Sequence, residues 1–271
     1  MDKAALLGHP VSHSLSPQLF TALGKLLDRE VKYKAIDAAP DKLTEAIEKL
    51  RKEEYVGCNI TIPHKRAALA MAGAVSGDGK AIGAVNCLKI EKASVKATNT
   101  DAAGFYDALS ETGFKVKDNV SQILGAGGAA RAVGFALGRA GAKKVNIWSR
   151  KQPMADTLAR ELSAHWPETI FSAGAFAPAG LWVNATPLGM EGFPDKLPVK
   201  KLDGVVVAFD LVYGKPTKFL ELGAAARARC LTGIPMLVYQ GIRSWEFWFG
   251  AVGGQGRNQL KADLMRMKKW R

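Results

Sequence analysis

Near the middle of the chain, Leu124-Gly-Ala-Gly-Gly-Ala-Ala-Arg131 sets closely spaced glycines between an apolar stretch and an alanine-rich one. Few structures accommodate that pattern. Glycines at 125 and 127 permit a tight turn and let backbone N–H groups close on an anion. A small residue at Ala130 lets a following helix pack tightly on the strand before it. Val120 to Leu124 reads as that strand, and Ala129 to Ala140 as the helix, stopped by Gly141. Such a unit aims a positive helix end at a pyrophosphate, so the second half of the chain is expected to hold a dinucleotide.

Which dinucleotide depends on the next strand. Lys143 to Trp148 reads as a second strand, and it ends in Ser149-Arg150-Lys151. A carboxylate about 20 residues past the glycines would accept from the ribose hydroxyls of NAD, but a hydroxyl and two cations suit the 2′-phosphate of NADP. The plain alternative is a solvated basic loop.

The 271 residues, 48% of them hydrophobic, have room for two domains with ordinary cores. No apolar run approaches the roughly 18 residues of a membrane span, and the N-terminus lacks the basic and apolar regions of a signal peptide, so a cytoplasmic location without membrane association is expected. Cys58, Cys87 and Cys230 are odd in number and widely spaced, which suits reduced, mostly buried thiols. His9 and His13 have metal-ligand spacing for a helix, but Pro10 lies between them and no metal is expected. The net charge of +13 raises nucleic acid as a partner. The cations are scattered apart from the tail Arg266-Met-Lys-Lys-Trp-Arg271, and no nucleic-acid signature accompanies them, so small anions are the expected partners.

In the first hundred residues, Ala4 to Leu7, Val31 to Ile36 and Gly57 to Pro63 read as strands, alternating with helical spacing through Leu19 and Leu23 and through Leu43, Ile47 and Leu50. Pro17 marks a helix start with Ser16 as its N-cap and Ser14 just outside. The fold class is therefore α/β: an N-terminal α/β domain with a mostly parallel sheet, followed by a Rossmann-type NADP-binding domain. The expected limits are residues 1–104 with 240–271 for the first and 105–239 for the second, with ligands meeting between them.

The ordered blocks Ser14-Leu-Ser-Pro17, Asn59-Ile-Thr-Ile-Pro-His-Lys65, Ile82-Gly-Ala-Val-Asn86, Asn99-Thr-Asp101, Gly125-Ala-Gly-Gly-Ala129, Asn184-Ala-Thr-Pro-Leu-Gly-Met190, Asp210-Leu-Val-Tyr213 and Met236-Leu-Val-Tyr-Gln240 resemble the shikimate dehydrogenase family over nearly the whole chain. The resemblance implies NADP-dependent interconversion of 3-dehydroshikimate and shikimate in chorismate and aromatic amino acid biosynthesis. By it, Lys65 and Asp101 form the acid-base pair, and which of the two delivers the proton stays open. Reducing a ketone does need a proton source at the carbonyl oxygen, and an ammonium beside a carboxylate suits that task.

The same resemblance assigns the substrate carboxylate to Ser14 and Ser16 with Tyr213, and ring hydroxyls to Thr61, Asn86, Asp101 and Gln240. It assigns the pyrophosphate to Gly125, Ala126, Gly127, Gly128 and Ala129, the adenosine phosphate to Ser149, Arg150 and Lys151, and the nicotinamide end to Leu211 and Gly233. Taken singly, Ser16 also reads as a helix cap, Asn86 as a turn residue and Gln240 as a polar residue at a helix start. Arg131 reads equally as a phosphate ligand and as a solvent-facing helix position. The chain departs from the family's usual residues at Phe20, Thr21 and Thr232 and within Ser149-Arg150-Lys151. A quinate-oxidising enzyme accepting NAD and a non-catalytic nucleotide-binding regulator are the alternatives. Nothing in the sequence separates a monomer from a homodimer.

Overall fold

A computed structural model of the chain describes residues 1–252 and 254–266; the last five residues of the basic tail, 267–271, lie outside the described residues. The chain divides into two compact units, Met1–Gly104 with Leu237–Arg271 and Phe105–Met236.

The first unit carries a six-stranded sheet built from β1 (Asp2–Gly8), β2 (Val31–Asp37), β3 (Gly57–Ile60), β4 (Ala74–Val75), β5 (Cys87–Ile90) and β6 (Val95–Thr98), in the order β2-β1-β3-β5-β6-β4. β2, β1 and β3 run parallel, as do β4 and β6, while β5 is antiparallel to both its neighbours. The alternation of strands and helices announced the parallel part; the β5-β6 hairpin, turned by Glu91 to Ser94, was not expected. β3 ends at Ile60 rather than at Pro63. Thr61 N–H still reaches Leu7 O at 2.9 Å, but His64 N–H then turns back to Thr61 O at 2.9 Å, and a proline has no N–H to extend a ladder.

One face of this sheet buries Leu43, Ile47 and Leu50 of the helix Leu43–Lys52 against Leu7, Val85 and Leu88. Fully burying side chains of this size contributes about 1.5–3 kcal/mol each. In another part of the unit, Phe20 stacks on Tyr33 with ring centroids 4.3 Å apart and Trp248 Nε1 donates to Leu88 O at 2.8 Å. Gly57 must be glycine for this packing, because a Cβ there would lie 2.3 Å from Trp248 Nε1. The first helix runs Ser16–Leu26, so Ser16 lies inside it rather than capping it. Leu15 stands at the N-cap position with no side chain capping the helix, and Ser14 Oγ accepts from Ser16 N at 3.2 Å.

The second unit holds β7 (Val120–Leu124), β8 (Lys144–Trp148), β9 (Ile170–Ala173), β10 (Leu181–Asn184), β11 (Val207–Asp210) and β12 (Arg229–Leu231) in the order β12-β11-β10-β7-β8-β9, every pair parallel. That is the doubly wound dinucleotide-binding order, with its reversal point between β7 and β10. Gly125 takes φ +115° at the end of β7, and the helix Gly128–Arg139 follows, closed by Gly141 at φ +75°. Arg131 on this helix is buried and pairs with Glu161 of the helix Gln152–His165, so it is not solvent-facing.

No helix among the described residues is long and apolar enough to cross a membrane. Among them, no group of three or more His, Cys, Asp or Glu side chains gathers as metal ligands, and the three cysteines are free thiols. Burial raises the thiols of Cys58 and Cys87, the second to about 12, which leaves both unreactive.

One buried carboxyl in the second unit has no cation beside it. Asp210, at the end of β11, accepts from Asn184 Nδ2 at 2.9 Å, Val212 N–H at 2.9 Å and Thr217 Oγ1 at 2.5 Å. Burial pushes its carboxyl up to about 6 against the opposing pull of those three donors. A carboxyl raised on folding supports the fold fully below about pH 4, and the support is lost as pH rises through about 6, a change of about 3 kcal/mol. Between about pH 4 and pH 7 the native protein should therefore lose about 3 kcal/mol of stability relative to Asp210→Asn, measured by urea unfolding at each pH. A stability difference that stays constant over that range would show that Asp210 does not titrate there.

Candidate active site

The topology of the first sheet brings distant residues to one edge. β3 and β6 both run antiparallel to β5, so their C-terminal ends and the N-terminal end of β5 share an edge. Lys65 follows β3, Asn86 immediately precedes β5, and Asp101 opens the helix that follows β6. Lys65 Nζ donates to Asp101 Oδ2 at 2.7 Å, with side-chain exposures of 14% and 6%. An ion pair so enclosed differs from the exposed pairs of this chain, such as Lys218 with Glu221, which contribute about 0–1 kcal/mol.

The pair is fixed from several sides. Asn86 Nδ2 donates to Asp101 Oδ1 at 2.8 Å and lies 2.9 Å from Thr100 Oγ1 and 3.4 Å from Gln240 Oε1. Its Oδ1 accepts from Thr100 N–H at 2.7 Å. Asn99 Oδ1 accepts from the N–H groups of Asp101 and Ala102, pinning the start of the helix that carries the carboxylate. Beside Lys65, the buried ring of His64 bonds Ala38 O at 2.7 Å, and Val85 N–H bonds Lys65 O at 2.9 Å. Both ends of the ion pair thus sit on constrained backbone.

A second layer of this network went unread in the sequence. Asn59 Nδ2 donates to Ser244 Oγ at 2.8 Å and to Asn86 O at 3.2 Å, and its Oδ1 accepts from Tyr33 Oη at 2.9 Å. Ser244 Oγ in turn lies 3.2 Å from Thr100 Oγ1 and donates to Gln240 O at 2.9 Å. Asn59 stood within a recognised block, and the signal for it was an amide in the middle of an otherwise apolar strand. Ser244 gave no such signal, being one residue of a long helix, Ile234–Phe249. Gln240 lies well inside that helix, not at its start, and is buried.

The structure thus brings Lys65, Asn86, Asp101 and Gln240 into one hydrogen-bonded group. Ser14 and Ser16 form a separate pair, with Oγ atoms 3.2 Å apart. Thr61 is half-buried at the end of β3, in the same Asn59-to-Lys65 segment as the lysine. Tyr213 belongs to the second unit, where its ring passes 3.2 Å from the place a Cβ would take on Gly233.

The second unit offers a cradle for an anion. The helix Gly128–Arg139 has no side-chain cap at its N-terminus, and a Cβ at Gly127 would meet nothing within 4 Å, so the turn is open where Gly125 to Ala129 would approach a pyrophosphate. Gly125 itself presses on the next loop, a Cβ there lying 2.8 Å from Ala185 O. At the end of β8, Ser149 is half-buried while Arg150 and Lys151 are exposed, and among the described residues neither cation has an ion-pair partner. A donor set of one hydroxyl and two uncommitted cations fits the 2′-phosphate of NADP. Leu211 and Gly233 adjoin each other, since a Cβ on Gly233 would fall 2.2 Å from Leu211 O.

The chain is similar to known proteins along nearly its whole length. The shikimate dehydrogenase substrate binding domain matches residues 6–88. A shikimate dehydrogenase (NADP(+)) of Methanopyrus kandleri is 38% identical over 258 residues, 90% of this chain and 89% of that one. The crystal structure of shikimate dehydrogenase from Aquifex aeolicus superposes with a TM-score of 0.84 at 31% identity, covering 98% of each chain. A shikimate 5-dehydrogenase from Thermus thermophilus, solved in complex with NADP(H) and shikimate, gives 0.79 at 35% identity over 97% of this chain and 99% of that one. Identity of that order, carried along nearly the full length of the relatives and matched by the fold of both units, makes this chain a member of the shikimate dehydrogenase family.

Proposed function

We infer that the chain is an NADP-dependent shikimate dehydrogenase, interconverting 3-dehydroshikimate and shikimate. The observation that carries this reading is the enclosed Lys65–Asp101 pair, 2.7 Å between Nζ and Oδ2 and hydrogen-bonded through Asn86. NADPH, when bound, supplies a hydride, and NADP+ accepts one in the reverse direction. The chain's own task is to bind and orient the substrate and to move one proton at its C3 oxygen. The proton shared between Lys65 Nζ and Asp101 Oδ2 goes to that oxygen as the ketone is reduced and returns to the pair as the alcohol is oxidised. The ammonium also stabilises negative charge developing on the oxygen, and the carboxylate holds the ammonium in place.

In this reading Ser14 and Ser16 hold the substrate carboxylate, assisted by Tyr213, while Thr61, Asn86, Asp101 and Gln240 meet ring hydroxyls. Asn86 is also a strut: its amide is already engaged by Thr100 and Asp101, so it presents a fixed face to a ligand. For the cofactor, the turn from Gly125 to Ala129 would hold the pyrophosphate, Ser149, Arg150 and Lys151 the 2′-phosphate, and Leu211 and Gly233 the nicotinamide end. The first unit, on this view, is the substrate domain and the second the NADP domain, in a cytoplasmic enzyme.

Two experiments test the reading. With shikimate and NADP+ followed at the nicotinamide absorbance band, Lys65→Ala and Asp101→Ala should each lower kcat by about 10²–10⁴-fold while NADP+ still binds. Native protein inert toward both shikimate and quinate would reject the assignment. The double variant Arg150→Ala, Lys151→Ala should raise KM for NADP+ by about tenfold or more and leave KM for NAD+ nearly unchanged. Equal effects on the two cofactors would mean that these cations do not read the 2′-phosphate.

A further inference from the structure

Asp210 takes no part in the chemistry proposed above, yet its carboxylate is completely buried at the end of β11. β10 and β11 are already joined by their ladder, with Asn184 opposite Asp210. The side-chain bonds of these two residues therefore serve the loops beyond the strands. Asp210 Oδ1 accepts from Val212 N–H and Asn184 Nδ2, and Oδ2 accepts from Thr217 Oγ1, so both ends of segment 211–217 are tied to one carboxylate. Asn184 ties the other segment, 185–190: its Oδ1 accepts from Thr186 N–H at 3.1 Å and Thr186 Oγ1 at 2.6 Å, and its Nδ2 lies 3.2 Å from Leu188 O.

The two segments are also locked against the glycine positions. Gly125 abuts Ala185 O, Gly189 abuts Thr217 at a Cβ distance of 2.8 Å, and Gly233 abuts Leu211 O. Gly233 N–H completes the junction by donating to Val212 O at 3.0 Å. The charged groups near the carboxylate are few. Asp195 adds repulsion from the 185–195 side and is itself held by Lys218 N–H at 3.1 Å. Asp210, through Asn184, is the point where segments 185–190 and 211–217 are joined, and Gly125 lies against the first of them.

We propose that Asp210 is a positioning residue: with Asn184 as its relay, its carboxylate fixes segments 185–190 and 211–217 against Gly125 and Gly233, and so sets where Leu211 and Gly233 meet the nicotinamide end of a bound cofactor. The proposal rests on the assignment of Leu211 and Gly233 made under the proposed function. A buried ionisable group joined only to neutral donors is a poor choice for stability alone, since a well-packed apolar side chain fills such a space at less cost. What it adds is directional: three donors brought to two oxygens in one arrangement.

The staple makes a separable prediction, because Ser149, Arg150 and Lys151 follow β8 and take no bond from it. Asp210→Ala should lower kcat with shikimate and NADP+ by about tenfold or more and weaken NADP+ binding by about tenfold, measured calorimetrically. Adenosine 2′,5′-bisphosphate, which lacks the nicotinamide half, should bind within about twofold of the native value. Asp210→Asn, whose amide can still donate to the Thr217 hydroxyl while its oxygen accepts from Asn184 and Val212, should recover most of the loss. If Asp210→Ala does not fold, Thr217→Val and Thr217→Ser carry the same comparison, with the valine defective and the serine close to native. Native-like kcat and NADP+ affinity in the alanine variant would overturn the proposal. So would an equal weakening of both ligands, which would mark Asp210 as a residue of general folding. Native protein that turns over neither shikimate nor quinate would instead sink the reaction, whereas the pair of ligands needs no turnover and still reads the staple.

Discussion

A lysine ammonium and an aspartate carboxylate enclosed together are tolerable only when the lone pairs and protons outside the pair also find partners, because the desolvation of two ions can exceed their mutual attraction. Much of the first unit meets that condition for Lys65 and Asp101. Asn86 occupies the second carboxylate oxygen, Asn99 and Thr100 hold the backbone that carries it, and Asn59 and Ser244 hold Asn86 and Thr100 in turn. The network reaches from Tyr33 on β2 to the helix Ile234–Phe249, so residues widely separated in sequence share one polar cluster. Such a cluster specifies a single arrangement, since any shift leaves a buried donor or acceptor unpaired. That is the property a proton-transfer site needs, because a displaced acid loses its reach to the reacting oxygen.

The sheet explains why the cluster forms where it does. Were β5 parallel to β3 and β6, Asn86 at its N-terminus would sit at the opposite edge from Lys65 and Asp101. The hairpin reverses it, and three residues from three strands meet. In the second unit the parallel order does the corresponding work without a reversal. Each strand delivers a loop to the same edge, and the glycines at 125, 189 and 233 let those loops approach one another more closely than any side chain would allow.

Much of this was legible in the sequence because it follows from local rules. The strand, glycine turn and helix from Val120 to Gly141 appear nearly residue for residue, since glycine conformation and apolar run length are local properties. The apolar spacing of Leu43, Ile47 and Leu50 gave their burial for the same reason. What escaped depends on partners far away in the chain. Ser16 carries the composition of a helix cap, but the helix begins at Ser16 itself, whose N–H goes to Ser14 Oγ, and no side chain caps that end. Arg131 follows a phosphate-binding turn, yet Glu161, one helix later, takes its guanidinium. The β5-β6 hairpin has a polar, glycine-free turn, Glu91-Lys92-Ala93-Ser94, which carries none of the usual hairpin signals. Gln240 and Ser244 look like ordinary helix residues until the sheet they face is known.

The two buried aspartates, Asp101 and Asp210, show how one residue type is turned to different ends by its neighbours. Asp101 has a cation at 2.7 Å and an amide on its other oxygen, so both its oxygens are engaged, one of them in a short, charge-assisted contact. Asp210 has only an amide, a backbone N–H and a hydroxyl, and with no cation to offset desolvation its carboxyl rises to about 6. The first arrangement suits the role proposed for the pair with Lys65. The second suits a group whose value lies in the number of chain segments it can hold at once, since two adjoining polar atoms can be engaged from several directions.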